Sequence, residues 1–493
     1  MRKSIIFFIH YFFSFDNFIS NFILKKIALQ RRFLYKRKNY SNLPKIEAED
    51  LNISGDKFKF VSEIEDLKKL KEMNSVAGYI PFKKSTSIIL YNFFSKNYAL
   101  RKQLLGKISY IKDEKIVDIF WFLLPVNAVV SIEDEHKDID ADFVVVELFH
   151  KKIKKNHGGV DGHYRFWGSY ENNSAIVHSM PINSFYLKKK YYELSSRRFF
   201  PQSVMDKKKS YNLSLISSKM LKKEINLTEN KIYGDYSSKT LNNLGYNLIS
   251  EKNSEEKENI VAVWHDASVR SKTKESFYQR QIISIPPIDN INAIIYFTEA
   301  LKGNADATIY FYNLSNEIIF EKKVNITPKY ELNLKNLIDK PLMECKYIKF
   351  DFGTENYIYG YLNIIYLINN KLCDNVHSHY DFGIHKKGPQ ALKFMYFPEQ
   401  ENFNSYMAIS GMKYSMDIKL RLILKNDLEY VFNFNLLKSD ITFFTIKDLL
   451  NKVNENIKIP GVIQFESKYG NPDADLFTYN NKNQTLSVDH FTG

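Results

Sequence analysis

The chain has 493 residues, 44% hydrophobic and 15% aromatic, with two cysteines and a formal charge of +14. That much apolar material excludes disorder as the general state, and two thiols exclude a disulfide scaffold. The positive charge is scattered over runs at 25–38, 151–155, 188–190 and 207–209 with no zinc-finger or RNP-like spacing, which argues against nucleic acid as a partner.

Abundant Phe, Tyr and Ile with sparse Gly and Pro lean toward β-structure. The exception is the N-terminal segment, 1–45. Ile5, Phe8, Phe12, Phe15, Ile19 and Phe22 recur at helical spacing, and His10, Ser14, Asn17, Asn21, Lys25, Ala28 and Arg32 form a polar or small stripe on another face. The pattern predicts an amphipathic basic helix that lies in a membrane surface through residues 1–38, docks on the protein's own β-domains, or serves as a true membrane anchor. A basic run, not a small-residue cleavage site, follows the apolar part. That argues against a cleavable signal peptide and favours a cytoplasmic or peripheral-membrane location.

One pattern then recurs three times, at 107–135, 307–337 and 419–449. Each copy opens with a strand of alternating polarity and breaks at an Asp/Asn turn (KDEK, NLSN, KND). A second strand follows, then a Pro or Ser-Asp break, then a third alternating segment. Downstream, each copy closes with strands in which a valine stands next to, or one residue from, a histidine: Val177–His178, Val376–His377 and Val488–His490. The fold class predicted is all-β: three tandem antiparallel β-sandwich modules of immunoglobulin-like size, at 76–181, 259–385 and 388–493. Residues 182–258, rich in Lys, Ser and Asn, read as an irregular insert and linker.

In the second and third copies the last two strands are joined by tight turns. In the first, pairing 142–150 with 175–181 leaves a long His/Gly-rich loop, 150–174, containing NHGGVDGHYRFWG. Long loops at the end of a sandwich often carry function. Asp161, His163, Tyr164, Phe166, Trp167 and Tyr170 offer flat apolar faces beside polar groups, as a glycan or other small-ligand site requires. His150, His157, Asp161, His163 and His178 offer the nitrogen and oxygen donors of a zinc or iron site, although HEXXH and CXXC are absent. Gly158 and Gly159 beside Lys151, Lys152, Lys154 and Lys155 could bind an anion through backbone N–H groups. The structural alternative for the whole stretch is a decorated turn whose aromatics tuck back onto the sandwich. His377, His379 and Asp381 alternate along one strand, and Trp264–His265–Asp266 opens the second copy.

No GXSXG elbow, GXGXXG loop or P-loop is present. The leading expectation is therefore a non-catalytic multi-module binding or structural protein that engages a glycan, cell-surface or protein partner through end loops. The alternatives are a metal-dependent enzyme using the His/Asp cluster, and a peripheral membrane protein held by its N-terminal helix.

Overall fold

The computed structural model describes residues 58–61, 73–92, 103–113, 115–125, 128–133, 138–151, 165–171, 173, 175–181, 210–217, 222–227, 245–252, 258–265, 280–296, 304–327, 330–352, 362–377, 379–380, 393–410, 415–425, 428–437, 440–467 and 473–491. The predicted helix over 1–45 lies outside them. Among the described residues, no helix is long and apolar enough to cross a membrane. The described elements are almost all strands in antiparallel sheets.

The first stretch runs β1 (Lys59–Val61), β2 (Met73–Pro81), β3 (Ser87–Tyr91), β4 (Leu104–Lys112), β5 (Lys115–Leu124), β6 (Val129–Ile132), β7 (Phe143–Lys151), β8 (Trp167–Tyr170), β9 (Ala175–His178) and β10 (Met180–Pro181). These form two sheets, ordered β1-β5-β4-β7-β2-β10 and β6-β3-β8-β9. Next come β11 (Ser210–Ser217), β12 (Lys222–Leu227), β13 (Gly245–Lys252) and β14 (Glu258–His265), in one sheet ordered β12-β11-β13-β14.

The third stretch has β15 (Arg280–Ser284), β16 (Ile291–Tyr296), β17 (Ala305–Asn313), β18 (Ile318–Ile326), β19 (Glu331–Asn333), β20 (Cys345–Asp351), β21 (Asn363–Ile368), β22 (Lys371–His377) and β23 (His379–Tyr380). Its sheets are β18-β17-β20-β15-β23 and β19-β16-β21-β22. The fourth has β24 (Lys393–Phe397), β25 (Phe403–Ser410), β26 (Met416–Leu424), β27 (Glu429–Leu436), β28 (Ile441–Thr445), the short helix α1 (Ile446–Lys452), β29 (Gly461–Ser467), β30 (Asp473–Asn480) and β31 (Thr485–Phe491). Its sheets are β24-β29-β26-β27 and β28-β25-β30-β31.

One wiring is common to 73–181, 280–380 and 393–491. In each, the first, third, fourth and sixth strands make one sheet, and the second, fifth, seventh and eighth make the other. The three sequence patterns at 107–135, 307–337 and 419–449 are the third to fifth strands of this scheme. The local chemistry is the same in kind. Turns after the third strand take up positive φ at Asp113 and Asn316, and the tight turn between β21 and β22 uses Asn369 and Asn370 at φ 52 and 60, as a two-residue hairpin of this twist requires. Each sheet pair closes over an apolar core drawn from both sheets. Ile309, Phe311 and Ile348 meet Ile295, Ile364 and Val376 in one. Leu420, Leu422 and Ile463 meet Met407, Ile409 and Leu476 in another.

Two expectations change. Residues 182–258 contain a sheet: β11 alternates apolar and polar positions in YNLSLIS, a signal obscured by the flanking Lys, Ser and Asn. The boundary at 259 falls inside that sheet, because β14 pairs with β13. The closing hairpin of the first copy is also not the one read from sequence. β9 pairs with β8, Trp167 opposite His178 and Tyr170 opposite Ala175, whereas β7 belongs to the other sheet between β2 and β4. WGSY is too short and too glycine-bearing to register as a strand by period alone. The His/Gly stretch therefore precedes β8, in the connection that crosses between sheets, and residues 152–164 lie outside the described set.

Gly168 reports on this packing. A Cβ there would stand 2.7 Å from Ile80 Cδ1 and 2.9 Å from Tyr170 Oη, both in the core. Gly168→Ala should cost about 1–3 kcal/mol through overpacking, read as a lowered midpoint in urea unfolding. An unchanged midpoint would show that β8 is not packed in this way.

Candidate functional site

The densest buried polar chemistry among the described residues lies where β8 and β9 meet β31. Asp489 is almost wholly buried. Its Oδ1 accepts from Arg165 Nη2 at 2.7 Å and lies 2.7 Å from His178 Nδ1, and its Oδ2 accepts from the indole Nε1 of Trp167 at 2.9 Å. Arg165 also donates to the His490 carbonyl at 3.0 Å, and the His490 amide donates to Asp489 at 2.9 Å. One step back, Ser487 Oγ accepts from the Ile176 amide and reaches the Ile176 carbonyl, each at 2.9 Å. From β22, Asp374 Oδ2 accepts from the Val488 amide at 2.7 Å and sits 3.2 Å from Ser487 Oγ. Tyr246 of β13 donates to the carbonyls of His178 and Tyr79, both at 2.8 Å.

Burial alone would raise the Asp489 carboxyl. The Arg165 charge, the charge His178 gains once acid protonates it, and the hydrogen bonds from His178 and Trp167 outweigh it and hold the group at about 2. Burial and then the Arg165 charge push His178 below its ordinary value, so the imidazole is neutral and donates through Nδ1–H. Asp374 goes the other way: burial, which its backbone and Ser487 hydrogen bonds only partly offset, raises it well above the usual carboxylate range.

The residues singled out in the sequence are distributed unevenly around this cluster. Phe166, Trp167 and Tyr170 are fully buried. Trp167 stands beside the rings of Phe394 and Tyr396, and Tyr170 Oη donates to the Pro81 carbonyl at 2.7 Å. In this conformation their faces are covered by protein, because β8 runs through a core rather than along a loop. His178 is held by Asp489. His150 is in β7, in the other sheet from His178, with its side chain outside the described residues. His157, Asp161, His163 and Tyr164 also lie outside them. Among the described residues, no three His, Cys, Asp or Glu side chains stand together as a metal site would need. Sequence reasoning missed Arg165, Asp374, Ser487 and Tyr246, and noted Asp489 beside His490 without giving it a role. The recurrent Val/His closing strands were the available signal, and what they lacked was the knowledge that β9, β22 and β31 adjoin.

No protein-family model matches this chain, and no curated protein matches it. Among solved structures, a calcium-binding mutant of Bacteroides uniformis beta-glucuronidase 2 aligns at 12% identity with a TM-score of 0.10, over 46% of this chain and 27% of that one. E. coli alpha-2-macroglobulin in its native conformation aligns at 9% identity with a TM-score of 0.13, over 85% of this chain and 28% of that one. The chain thus spans under a third of the length of either, and overlaps of this quality carry no argument about activity.

Asp489→Asn leaves the Arg165 guanidinium buried without its counter-charge and should cost about 3–5 kcal/mol, measured by equilibrium unfolding; a loss under 1 kcal/mol would mean the cluster is open to water. The pH dependence has a definite sign for each group. The depressed His178 stays neutral in the fold while the unfolded chain takes up a proton, so stability falls as pH drops below about 6.5. Asp489 adds a second loss, as pH falls from about 4 through its folded value of about 2. Asp374, raised in the fold, opposes this below neutrality. Whatever the net slope of the wild type, His178→Gln should remove the His178 loss, so between pH 7 and 5 the variant's unfolding midpoint should fall less, or rise more, than the wild type's. Equal slopes in the two proteins would place the acid sensitivity elsewhere.

Proposed function

We propose that this chain is a non-catalytic protein of three tandem β-sandwich modules, carrying an additional four-stranded sheet, that engages a glycan or cell-surface partner through connections at one topological position. The observation that supports this most is the link from the sixth to the seventh strand. It crosses between sheets at 152–166, at 352–362 and at 468–472, longest in the first copy. Repeated scaffolds with connections of unequal length are how β-proteins vary a binding surface while keeping a core. The first of these links holds His157, Asp161, His163 and Tyr164 with the basic run 151–155.

The buried cluster supports the same reading from the other side. Its polar groups are spent on one another and on backbone, which is what a structural clamp between copies needs. The ligand surface is accordingly assigned to the link itself, and Phe166, Trp167 and Tyr170 to its foundation.

The test replaces 152–164 by a Gly/Ser segment of equal length, with far-UV dichroism to verify the fold, and compares both proteins on a glycan array and on cells. Loss of signal in the replaced protein is expected. Equal signal from both would remove this link as the binding element.

A further inference from the structure

The exposed large apolar side chains among the described residues fall in one kind of place. They lie on the fourth strand of a copy or in the turn at one of its ends: Ile116 and Val117 on β5, Leu314 and Ile318 at β18, Leu428 and Val431 at β27. Apart from β1 beside β5, the fourth strand is the outer edge of its sheet in every copy. An edge strand of this kind is a template for a further strand. The first copy already uses it as one, because β1 adds itself to β5 in antiparallel register, Lys59 opposite Leu123 and Val61 opposite Trp121.

β18 is the edge suited to a strand identical to itself. Among the described residues β17 is its one neighbour in the sheet. Between Phe320 and Ile326 that ladder is regular, so the side chains alternate between the two faces. Phe320 and Val324 stand half-buried against the core of this copy, while Glu321, Lys322 and Lys323 are exposed. No ion pair among the described residues engages these three charges. Directly opposed residues of an antiparallel pair point to the same face, so two β18 strands can pair only about a two-fold axis that passes through a residue. An axis at Lys322 sets Glu321 of each chain opposite Lys323 of the other, and Phe320 opposite Val324. An axis at Glu321 would oppose two carboxylates and set Phe320 against Lys322. An axis at Lys323 would set Lys322 against Val324 and Glu321 against Asn325. Of the three, only Lys322 matches charge with counter-charge and apolar with apolar. The two Lys322 side chains meet on the axis, where long stems let the ammonium groups turn apart into water.

We propose that β18 is the surface through which the protein associates with a second molecule of the same chain, edge to edge and antiparallel, joining the five-stranded sheets of the two molecules into one. Main-chain hydrogen bonds supply the contact, and the two Glu321–Lys323 pairs select the register. The contact is small, so the dimer belongs to the class of weak interfaces. Its ion pairs are exposed, which makes it sensitive to salt. It uses none of the residues of the first link.

Sedimentation of the full chain at concentrations up to about 100 μM should show a monomer–dimer equilibrium, shifted toward monomer in about 1 M salt, where the screening length is about 3 Å. Glu321→Lys opposes two lysines and Lys323→Glu two glutamates, so each should weaken the dimer about 10-fold or more, with unchanged far-UV dichroism. The two single variants mixed in equal amounts should associate with each other, because both opposed positions then hold opposite charges. The Glu321→Lys/Lys323→Glu double variant should regain wild-type association. Val117→Lys in β5 and Val431→Lys in β27 should leave the dimer intact. A wild type that stays monomeric, single variants that dimerise as the wild type does, or a mixture that stays monomeric would each overturn the proposal. So would loss of the dimer in either valine variant, which would put the contact on the edge of another copy.

Discussion

The assembly depends on one buried carboxylate. Removing a carboxylate from water costs several kcal/mol even after relaxation, and the cost is offset only where both oxygens meet good donors. Asp489 meets them because three side chains of the first copy converge on it: Arg165 just before β8, Trp167 opening β8 and His178 closing β9. Replacing the set by apolar groups could be as stable. What the ionic version adds is registry. A shift of β31 along β9 by one residue would turn Asp489 away from all three donors and leave a charge and a guanidinium buried apart. Ser487 repeats the lesson one step back, where a single hydroxyl engages both backbone groups of Ile176, 311 positions away in the chain.

That registry explains how the sheets manage their edges. An edge strand exposes unpaired N–H and C=O groups and invites association with other chains. The inner edges, β9, β14, β22 and β31, are turned toward one another and covered by contact among themselves. The outer edges are handled differently. Part of β5 is paired by β1, Lys59 to Val61 opposite Leu123 to Trp121. Edge strand β18 carries Glu321, Lys322 and Lys323, and β27 opens on Glu429 beside Arg421 of its neighbour. Specific polar contacts close the inside, whereas the outer edges mix charge with exposed apolar side chains: Ile116, Val117 and Ile119 on β5, Ile318 on β18 and Val431 on β27.

The parts legible in the sequence were those with local physics. The third, fourth and fifth strands of each copy were readable because alternation and Asp/Asn turns are short-range signals. The closing strands were visible as valine and histidine neighbours. β8 was not: its four residues include Gly168, and its identity comes from pairing with β3 and β9 rather than from its own pattern. The same error put Phe166, Trp167 and Tyr170 on a loop and so on a ligand surface, because aromatic residues beside glycines look alike in a core and at a site. The β11–β14 sheet was hidden by polar composition. Asp489, Arg165 and Ser487 could not have been chosen from sequence, since partners more than 300 residues apart leave no local trace.

Correcting β8 does more than move three aromatics indoors; it gives the His/Gly segment its mechanical footing. The segment leaves the first copy from β7, whose last residues are paired by β2 and whose earlier ones are paired by β4 as well, and re-enters at Arg165, whose guanidinium is fixed to Asp489 and to the His490 carbonyl. Immediately after it, Phe166 exchanges backbone and side-chain hydrogen bonds with Ser179. Both stems are thus held by groups that cannot shift without exposing a buried charge or breaking a central strand. The carboxylate that sets β31 against β9 therefore also fixes the point at which the chain re-enters at Arg165, which couples the packing of the copies to the position of that stem.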